Sequence, residues 1–519
     1  MSDKIRDIVE EKHSIYKCYA RYWDFLLSSY EGGVDYTNAE IPFSLQTRPG
    51  SDVIPVYANG QLLTSKQLSN NLFMHAKERQ EHFNQRIRMS YYYNFCQPVI
   101  DIYTEHLFKQ PVKEEWGGIE QLIEYRQEDI DLKGSSIFEF RKELSDCSQI
   151  YGHCFVLVDK PPSNGEVNLE QRIVNNQFPY ATIIAPQRVI NWSVDRFGRL
   201  YWVMICENGD TNTSPDSYDK SSKAKSLYRL WTRNEWYLYD GEYNLIEEGV
   251  HGLGVVPLIC VYDRPSKKYQ NFLGISSLSD IAFVARDIFN LCSELTQIIR
   301  DQTFSFLTLQ GDITDYEGLS AIGTNKGLVY PRDTNPPQYV SPSADNARVI
   351  MDQIDRQTKK IYQLAKLEGG ESASQKTQVE SQSGVSKAFD FQETNSSLSR
   401  KANNLNDGEL KMWKVFSLWE GKEFDGVIEY PDEFSVQAVN DDIAEAIEMN
   451  KLKIGNLARI EVNKAIIQKK FPRMDDIEIE KIIKDMEAEV NKPEPGVNGF
   501  GGSFLDRFKQ RQTANAGSG

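Results

Sequence analysis

Residues 276–303 read SSLSDIAFVARDIFNLCSELTQIIRDQT, and the apolar positions in this stretch recur at alternating steps of three and four. That spacing places them along one side of an α-helix, as in helices that pack lengthwise on another helix. At about 1.5 Å per residue this helix is roughly 40 Å long, which is more than a compact domain usually needs. The predicted seam residues on it are Leu278, Ile281, Ile288, Leu295 and Ile299.

A second helix is predicted over residues 344–367, with Ser343 as its N-cap and the same alternation at Ile350, Ile354 and Ile361. The residues between the two helices, 305–343, combine short strand-like runs with turn-rich segments, which predicts a small β module. Two helices joined in this way pack antiparallel as a stalk with the β module at its tip.

Four carboxylates recur every seventh residue on the first of these helices and form a stripe beside its seam. They are Asp280, Asp287, Glu294 and Asp301. A solvated helix face explains such a stripe as well as a functional surface does, so both interpretations stay open.

Before residue 275 the sequence predicts an α+β domain with a mostly antiparallel sheet. Helices are predicted over 3–30 and 80–108, the second of them kinked at Pro98. Short apolar runs separated by turn residues then predict strands over 153–159, 181–184, 189–194, 200–207, 226–232, 235–239 and 255–262.

After the stalk, residues 368–384 contain no aromatic residue and one large aliphatic, Val379, so they are expected to form a mobile polar loop. A third long helix is predicted over 385–419, with Gly408 as a weak point, and a short strand over 427–430. Charged helices over 440–454, 457–471 and 475–490 and a disordered tail from residue 491 complete the prediction.

The chain of 519 residues carries 75 acidic against 59 basic side chains, a formal charge of −16. This balance argues against a protein that grips duplex DNA over a broad surface, because such binding needs clustered Lys and Arg. No signal peptide or membrane span is predicted, and the seven cysteines form no Cys-x-x-Cys pair, which favours reduced thiols and synthesis in the cytoplasm.

Motifs for catalysis are scarce. No phosphate-binding loop, activated nucleophile or paired metal spacing occurs among the six histidines, so neither a cofactor nor a metal site is predicted. His153, at the start of a strand, is interpreted as a structural residue. The one enzyme-like cluster is Asp312, Asp315 and Glu317, which in an active site could hold a divalent ion for phosphodiester hydrolysis. A solvated turn between strands is the other interpretation of that cluster.

The order of these parts resembles the portal proteins of tailed bacteriophages, which form a ring at one capsid vertex. Local strings are also similar to that family: Trp23, Asn94 and Pro98 in the aromatic helices, PQRVINW at 186–192, and LGISSL at 273–278. The resemblance implies a portal-like α+β fold in which helices and antiparallel sheet form a wing. Its parts would be a wing (1–274), a stem (275–304 and 344–367), a β-containing clip (305–343), a tunnel loop (368–384), a further helix and return strand (385–437), a helical crown (438–490) and a tail (491–519).

The resemblance also implies a function without a reaction of its own. The protein would form a ring of twelve subunits in the virion, assembled in the host bacterial cytoplasm, through which the double-stranded genome is packaged and ejected. Its partners would be the major capsid protein, the terminase large subunit, then a head–tail adaptor, and a scaffold protein, with no membrane involved. The tunnel-loop residues expected to contact DNA are Gln375, Lys376, Thr377 and Gln378.

Three alternatives remain at the level of the sequence. One is a metal-dependent phosphodiesterase that uses Asp312, Asp315 and Glu317, and another is a stalked adaptor that is not a portal. In the third, the loop over 368–384 is an inert linker.

Overall fold

The computed structural model divides the chain into two compact units, Met1–Ser435 and Val436–Gly519. The structure describes residues 2–37, 57–58, 61–62, 71–75, 78–161, 168–209, 225–269, 272–303, 306–308, 338–340, 344–367, 384–431, 434, 481 and 484. In the second unit the described residues are thus Lys481 and Lys484, both exposed and helical. The predicted crown helices and tail otherwise lie outside the described residues.

Helices and strands alternate along the first unit. The helices are α1 Ser2–Glu11, α2 Ser14–Glu31, α3 Gly33–Thr37, α4 Gln80–Met89, α5 Cys96–Leu107, α6 Glu120–Arg126, α7 Ile137–Tyr151, α8 Leu169–Val174, α9 Ile281–Thr303, α10 Ala344–Leu364 and α11 Gly384–Leu418. The strands are β1 Tyr57–Ala58, β2 Gln61–Leu62, β3 Lys113–Glu115, β4 His153–Asp159, β5 Tyr180–Ile184, β6 Val189–Val194, β7 Leu200–Gly209, β8 Lys225–Thr232, β9 Glu235–Tyr239, β10 Leu245–Val250, β11 Leu258–Tyr262, β12 Phe306–Thr308, β13 Gln338–Val340 and β14 Val427–Glu429.

The strands form separate antiparallel sheets. Five of them lie in the order β10-β9-β8-β7-β6, and three lie in the order β11-β4-β5. The α+β class and the antiparallel pairing are therefore confirmed. Strand β10 was not predicted, because its exposed side chains show no alternation of apolar and polar residues. β11 begins at Leu258, three residues later than predicted, directly after Pro257, which has no N–H to donate to a ladder.

The single N-terminal helix predicted over 3–30 is wrong, because the chain breaks between α1 and α2. Lys12 has a left-handed φ of 44°, which ends α1. The Nδ1 atom of His13 then accepts a hydrogen bond from the Ile15 backbone N–H at 3.2 Å and caps α2. Histidine is not among the usual N-cap residue types, and the apolar spacing continues across residues 12 and 13. The sequence therefore gives no signal of the boundary between α1 and α2.

The kinked helix predicted over 80–108 is wrong in the same way, since α4 and α5 are separated by residues 90–95. The Asn94 side-chain carbonyl accepts hydrogen bonds from the backbone N–H groups of Cys96 and Gln97, at 3.1 and 3.0 Å. Pro98 therefore lies in the first turn of α5, where the absent N–H costs nothing. The proline marks a helix start and not a kink.

One continuous hydrophobic core extends from Ile5 to Phe434. Its largest fully buried side chains include Trp23, Trp231 and Trp413. Helix α11 packs against β11 at Gly408, where an added Cβ would lie 2.8 Å from Cγ2 of Val261. The glycine predicted as a weak point is the position that lets the helix approach the sheet.

Candidate functional site

The two predicted stem helices are α9 and α10, and they pack against each other. Strand β12 follows α9, β13 precedes α10, and these two strands pair antiparallel, so the helices also run antiparallel. The side-chain amide of Gln357 on α10 donates a hydrogen bond to the carboxylate of Asp287 on α9. Helix α9 begins at Ile281 and not at residue 276, because residues 277–280 form turns.

Burial of the predicted seam changes along the helix pair. Leu278, Ile281, Ile288 and Ile361 are buried in the main core. Leu295, Ile350 and Ile354 are half-buried, and Ile299 is 51% exposed. The seam is therefore anchored in the main hydrophobic core at one end of the pair, and within one chain it is uncovered towards the β12–β13 end.

The acidic stripe faces away from the core. Asp280 and Asp287 are exposed, and one carboxylate oxygen of Glu294 lies 3.8 Å from Nε2 of His75. The side chain of Asp301 lies outside the described residues. A solvated helix face and a functional surface both fit this placement.

The predicted loop residues 375–378 and the acidic cluster at 312, 315 and 317 lie outside the described residues. The point where the chain leaves α10 is nevertheless well defined. Lys366 has a φ of 57°, and the N–H groups of Lys366 and Leu367 donate to the carbonyls of Gln363 and Tyr362, at 3.0 and 2.9 Å. This is a Schellman C-cap, which holds a left-handed residue that is usually glycine.

Side chains from two other helices fix this exit. The hydroxyl of Tyr103 on α5 donates to the Ala365 carbonyl, and the hydroxyl of Thr394 on α11 donates to the Lys366 carbonyl. The end of α10 is thereby attached both to α5 and to α11. The predicted tunnel loop therefore starts, at its N-terminal end, from packed structure.

A buried ion pair lies beside this exit. Nζ of Lys401 on α11 contacts the carboxylate of Asp263 and the hydroxyl of Ser277, and that hydroxyl also lies 2.6 Å from Asp263 Oδ2. The Asp263 carbonyl accepts from the side-chain amide of Asn404 at 2.6 Å. Burial lowers the pKa of Lys401, and the Asp263 carboxylate opposes that shift. The pair connects α11 to the residues that lead from β11 into the stem.

A close backbone crossing lies on the other side of the same junction. Gly152 has a φ of 88°, and a Cβ there would lie 2.6 Å from backbone atoms of Gly274, Ile275 and Ser276. A Cβ on Gly274 would lie 1.8 Å from the Gly152 carbonyl oxygen. Only glycine at both positions allows the α7–β4 turn to pass directly against the entry to the stem.

His153 is part of this crossing and is fully buried. Its Nδ1 atom accepts a hydrogen bond from the Gly274 N–H at 3.3 Å, and burial lowers its pKa to about 3. Its Nε2 atom has no hydrogen-bond partner among the described residues. This placement fits the structural role expected from the sequence.

A second buried ion pair, which sequence reasoning missed, holds α11 to α7. Arg141 on α7 donates from Nε to both carboxylate oxygens of Glu409 on α11, at 2.9 and 3.1 Å. Glu409 also accepts from Trp413 Nε1 at 2.9 Å and from the Tyr430 hydroxyl at 2.7 Å. Although burial alone would lower the pKa of Arg141, the Glu409 carboxylate raises it. The two charges are 268 residues apart, so no local pattern could have paired them.

No protein-family model matches this sequence, and no curated protein matches it. Among solved structures, the chain is similar to a chain in the virion of a native gene transfer agent (GTA) particle. That likeness has a TM-score of 0.36 and 10% sequence identity, and it covers 70% of this chain and 88% of the other. A structural similarity this weak supports no conclusion about the function of this protein.

No group of three or more His, Cys, Asp or Glu side chains among the described residues could hold a metal ion. All seven cysteines are free thiols, of which Cys96, Cys154 and Cys292 are buried. No helix within the described ranges is long and apolar enough to cross a membrane.

Proposed function

We propose that this chain is a portal protein: a ring-forming subunit at one capsid vertex through which a phage genome is packaged and ejected. The observation that supports the proposal most is the antiparallel pair α9 and α10. It begins in the wing core, ends in the small β12–β13 ladder, and is followed by α11, which returns to the wing. This is the order of parts that the sequence resemblance implies.

Uncovered apolar side chains along this pair support ring formation. Ile299 on α9 and Val349 and Met351 on α10 are 51%, 67% and 53% exposed in a single chain. Neighbouring subunits in a ring would cover them, since a heterologous contact that closes on itself generates a ring.

The charge of the chain agrees with a channel through which DNA slides. A wall rich in Lys and Arg would hold phosphates in every subunit, whereas an acidic wall repels the DNA evenly. The proposed protein catalyses no reaction and binds no cofactor. It provides the passage and the docking surface for the terminase large subunit, the head–tail adaptor, the major capsid protein and a scaffold protein in the virion.

The mass of the purified particle in solution tests the proposal. Light scattering coupled to gel filtration should give closed particles of about twelve chains, each of 59.6 kDa. Electron microscopy of the same fraction should show rings with a central opening. A monodisperse monomer at micromolar concentration would refute the portal assignment, and a small open oligomer would favour the stalked adaptor.

Shortening the predicted tunnel loop tests the predicted contact between residues 375–378 and DNA. Replacing residues 372–382 by a few glycines should leave ring formation intact and impair DNA packaging or retention, because the helices at both ends remain. The matched control shortens residues 211–221, in the polar segment between β7 and β8, by the same length. Normal packaging and retention by rings with the shortened 372–382 segment would make that segment a spacer.

A further inference from the structure

A cavity of about 130 Å³ lies at the junction of the wing, the start of α9, the end of α10 and α11. We call it the junction pocket. Four basic side chains and two carboxylates line it, which leaves a local charge of +2 in a chain of −16. The basic residues are Arg264, Lys366, Arg400 and Lys401, and the acidic ones are Asp263 and Asp280.

Two of the basic side chains in this pocket, Arg264 and Arg400, are unpaired within the part of the chain that the structure describes. Asp263 is engaged with Lys401 and Ser277. Within the described ranges, the guanidinium groups of Arg264 and Arg400 have neither an ion-pair nor a hydrogen-bond partner. Both guanidinium groups act with burial to lower the pKa of Lys401, so each lies close enough to repel its ammonium group. An anion in the pocket would offset that repulsion.

Part of the remaining wall of the junction pocket can donate hydrogen bonds. The hydroxyls of Ser279 and Ser397 line it, and so do Asp280 and Ile281 at the start of α9. The backbone N–H groups of Asp280 and Ile281 have no acceptor among the described residues. Guanidinium groups, hydroxyls and the N–H groups of a first helical turn are the donors that bind phosphate oxygens in proteins.

We propose that the junction pocket binds a phosphate group, with Arg264 and Arg400 as its principal ligands. The phosphate is either a free phosphate ion or one phosphodiester of duplex DNA. Lys366 directly precedes the predicted tunnel loop, so the pocket lies where the chain enters that loop. Assignment to DNA therefore rests on the proposed function, whereas phosphate binding does not.

The test compares the full-length chain with the double variant Arg264→Gln and Arg400→Gln. Both arginines are exposed, so their replacement should leave the fold unchanged. The control is Arg196→Gln with Arg199→Gln, which removes two exposed guanidinium groups at the β6–β7 turn and leaves the junction pocket intact. Calorimetric titration with inorganic phosphate is the first measurement, and filter binding of a 20-base-pair duplex over a range of salt concentrations is the second.

Wild type and control should bind inorganic phosphate at a saturable site, and the double variant should bind it about tenfold more weakly or worse. If the occupant is DNA, the double variant should also lose duplex affinity, and the slope of log affinity against log salt should fall by about 0.9. If phosphate binding alone is lost, the occupant is the free ion. Absence of saturable phosphate binding by the wild type, or equal affinities in wild type and double variant, would overturn the proposal. Either result is independent of whether the chain forms rings.

Discussion

Replacing Glu409 by Gln should be among the most destabilising single changes in the first unit, Met1–Ser435. The substitution keeps the size of the side chain and removes its charge, while Arg141 stays 4% exposed. The remaining partner of Arg141 is Glu114, whose side chain is 31% exposed. Removing one partner of a buried, hydrogen-bonded charge pair costs about 3–5 kcal/mol, because the other charge is left in a low-dielectric environment.

Urea unfolding followed by tryptophan fluorescence would measure this cost, because Trp413 donates to Glu409 and reports on the same cluster. The control is Glu207→Gln, which breaks a pair with Arg229 whose side chains are 30% and 20% exposed, and it should cost less than Glu409→Gln. Combining Arg141→Met with Glu409→Leu removes both charges, and the double variant should lose less stability than the sum of the single variants. Two results would refute the description of Arg141 and Glu409 as a mutually compensated buried pair. One is an equal loss of unfolding free energy from Glu409→Gln and Glu207→Gln. The other is a loss in the Arg141→Met, Glu409→Leu double variant that equals the sum of the two single losses.

Three further predictions concern the stem, the long helix and the junction histidine. Ile288→Asp should cost several kcal/mol in unfolding free energy because it buries an unpaired carboxylate, whereas Ile299→Asp at a 51% exposed position should cost under about 1 kcal/mol in a non-assembled chain. Similar melting curves for these two variants would mean that the buried seam is wrongly placed. Gly408→Ala should cost about 1–3 kcal/mol from the clash with Val261, despite a helix-propensity gain of about 1 kcal/mol. Adding Val261→Ala makes room for the new methyl group, so the double variant should lose less stability than the sum of the two single variants. His153 has its pKa lowered from 6.5 to about 3 in the fold, so below pH 6.5 the unfolded chain binds the proton first. The free energy of unfolding should therefore fall by about 1 kcal/mol per pH unit from pH 6 to 4. His153→Gln should lack this pH dependence, and an equal slope in the variant and the wild type would show that the histidine is not its cause.

Local patterns in the sequence determined most of the helices and strands. The three–four alternation located α9, α10 and α11 to within a few residues, because burial of one helix face leaves a 3.6-residue period in the sequence. Turn residues between apolar runs likewise located β4 and β9 to the residue. The breaks at Lys12 and Asn94 leave no mark on the periodicity, because periodicity reports a buried helix face and not the caps that end the helix.

Tertiary structure alone decided what those elements contact. The Arg141–Glu409 pair and the Gly152–Gly274 crossing join residues more than a hundred positions apart, and each partner alone is an ordinary helix or turn residue. The junction pocket has the same origin, since Arg264 follows a strand and Arg400 lies in a distant helix. Alternation along the chain records how deeply a side chain is buried, whereas the identity of its neighbour depends on how the elements pack in three dimensions.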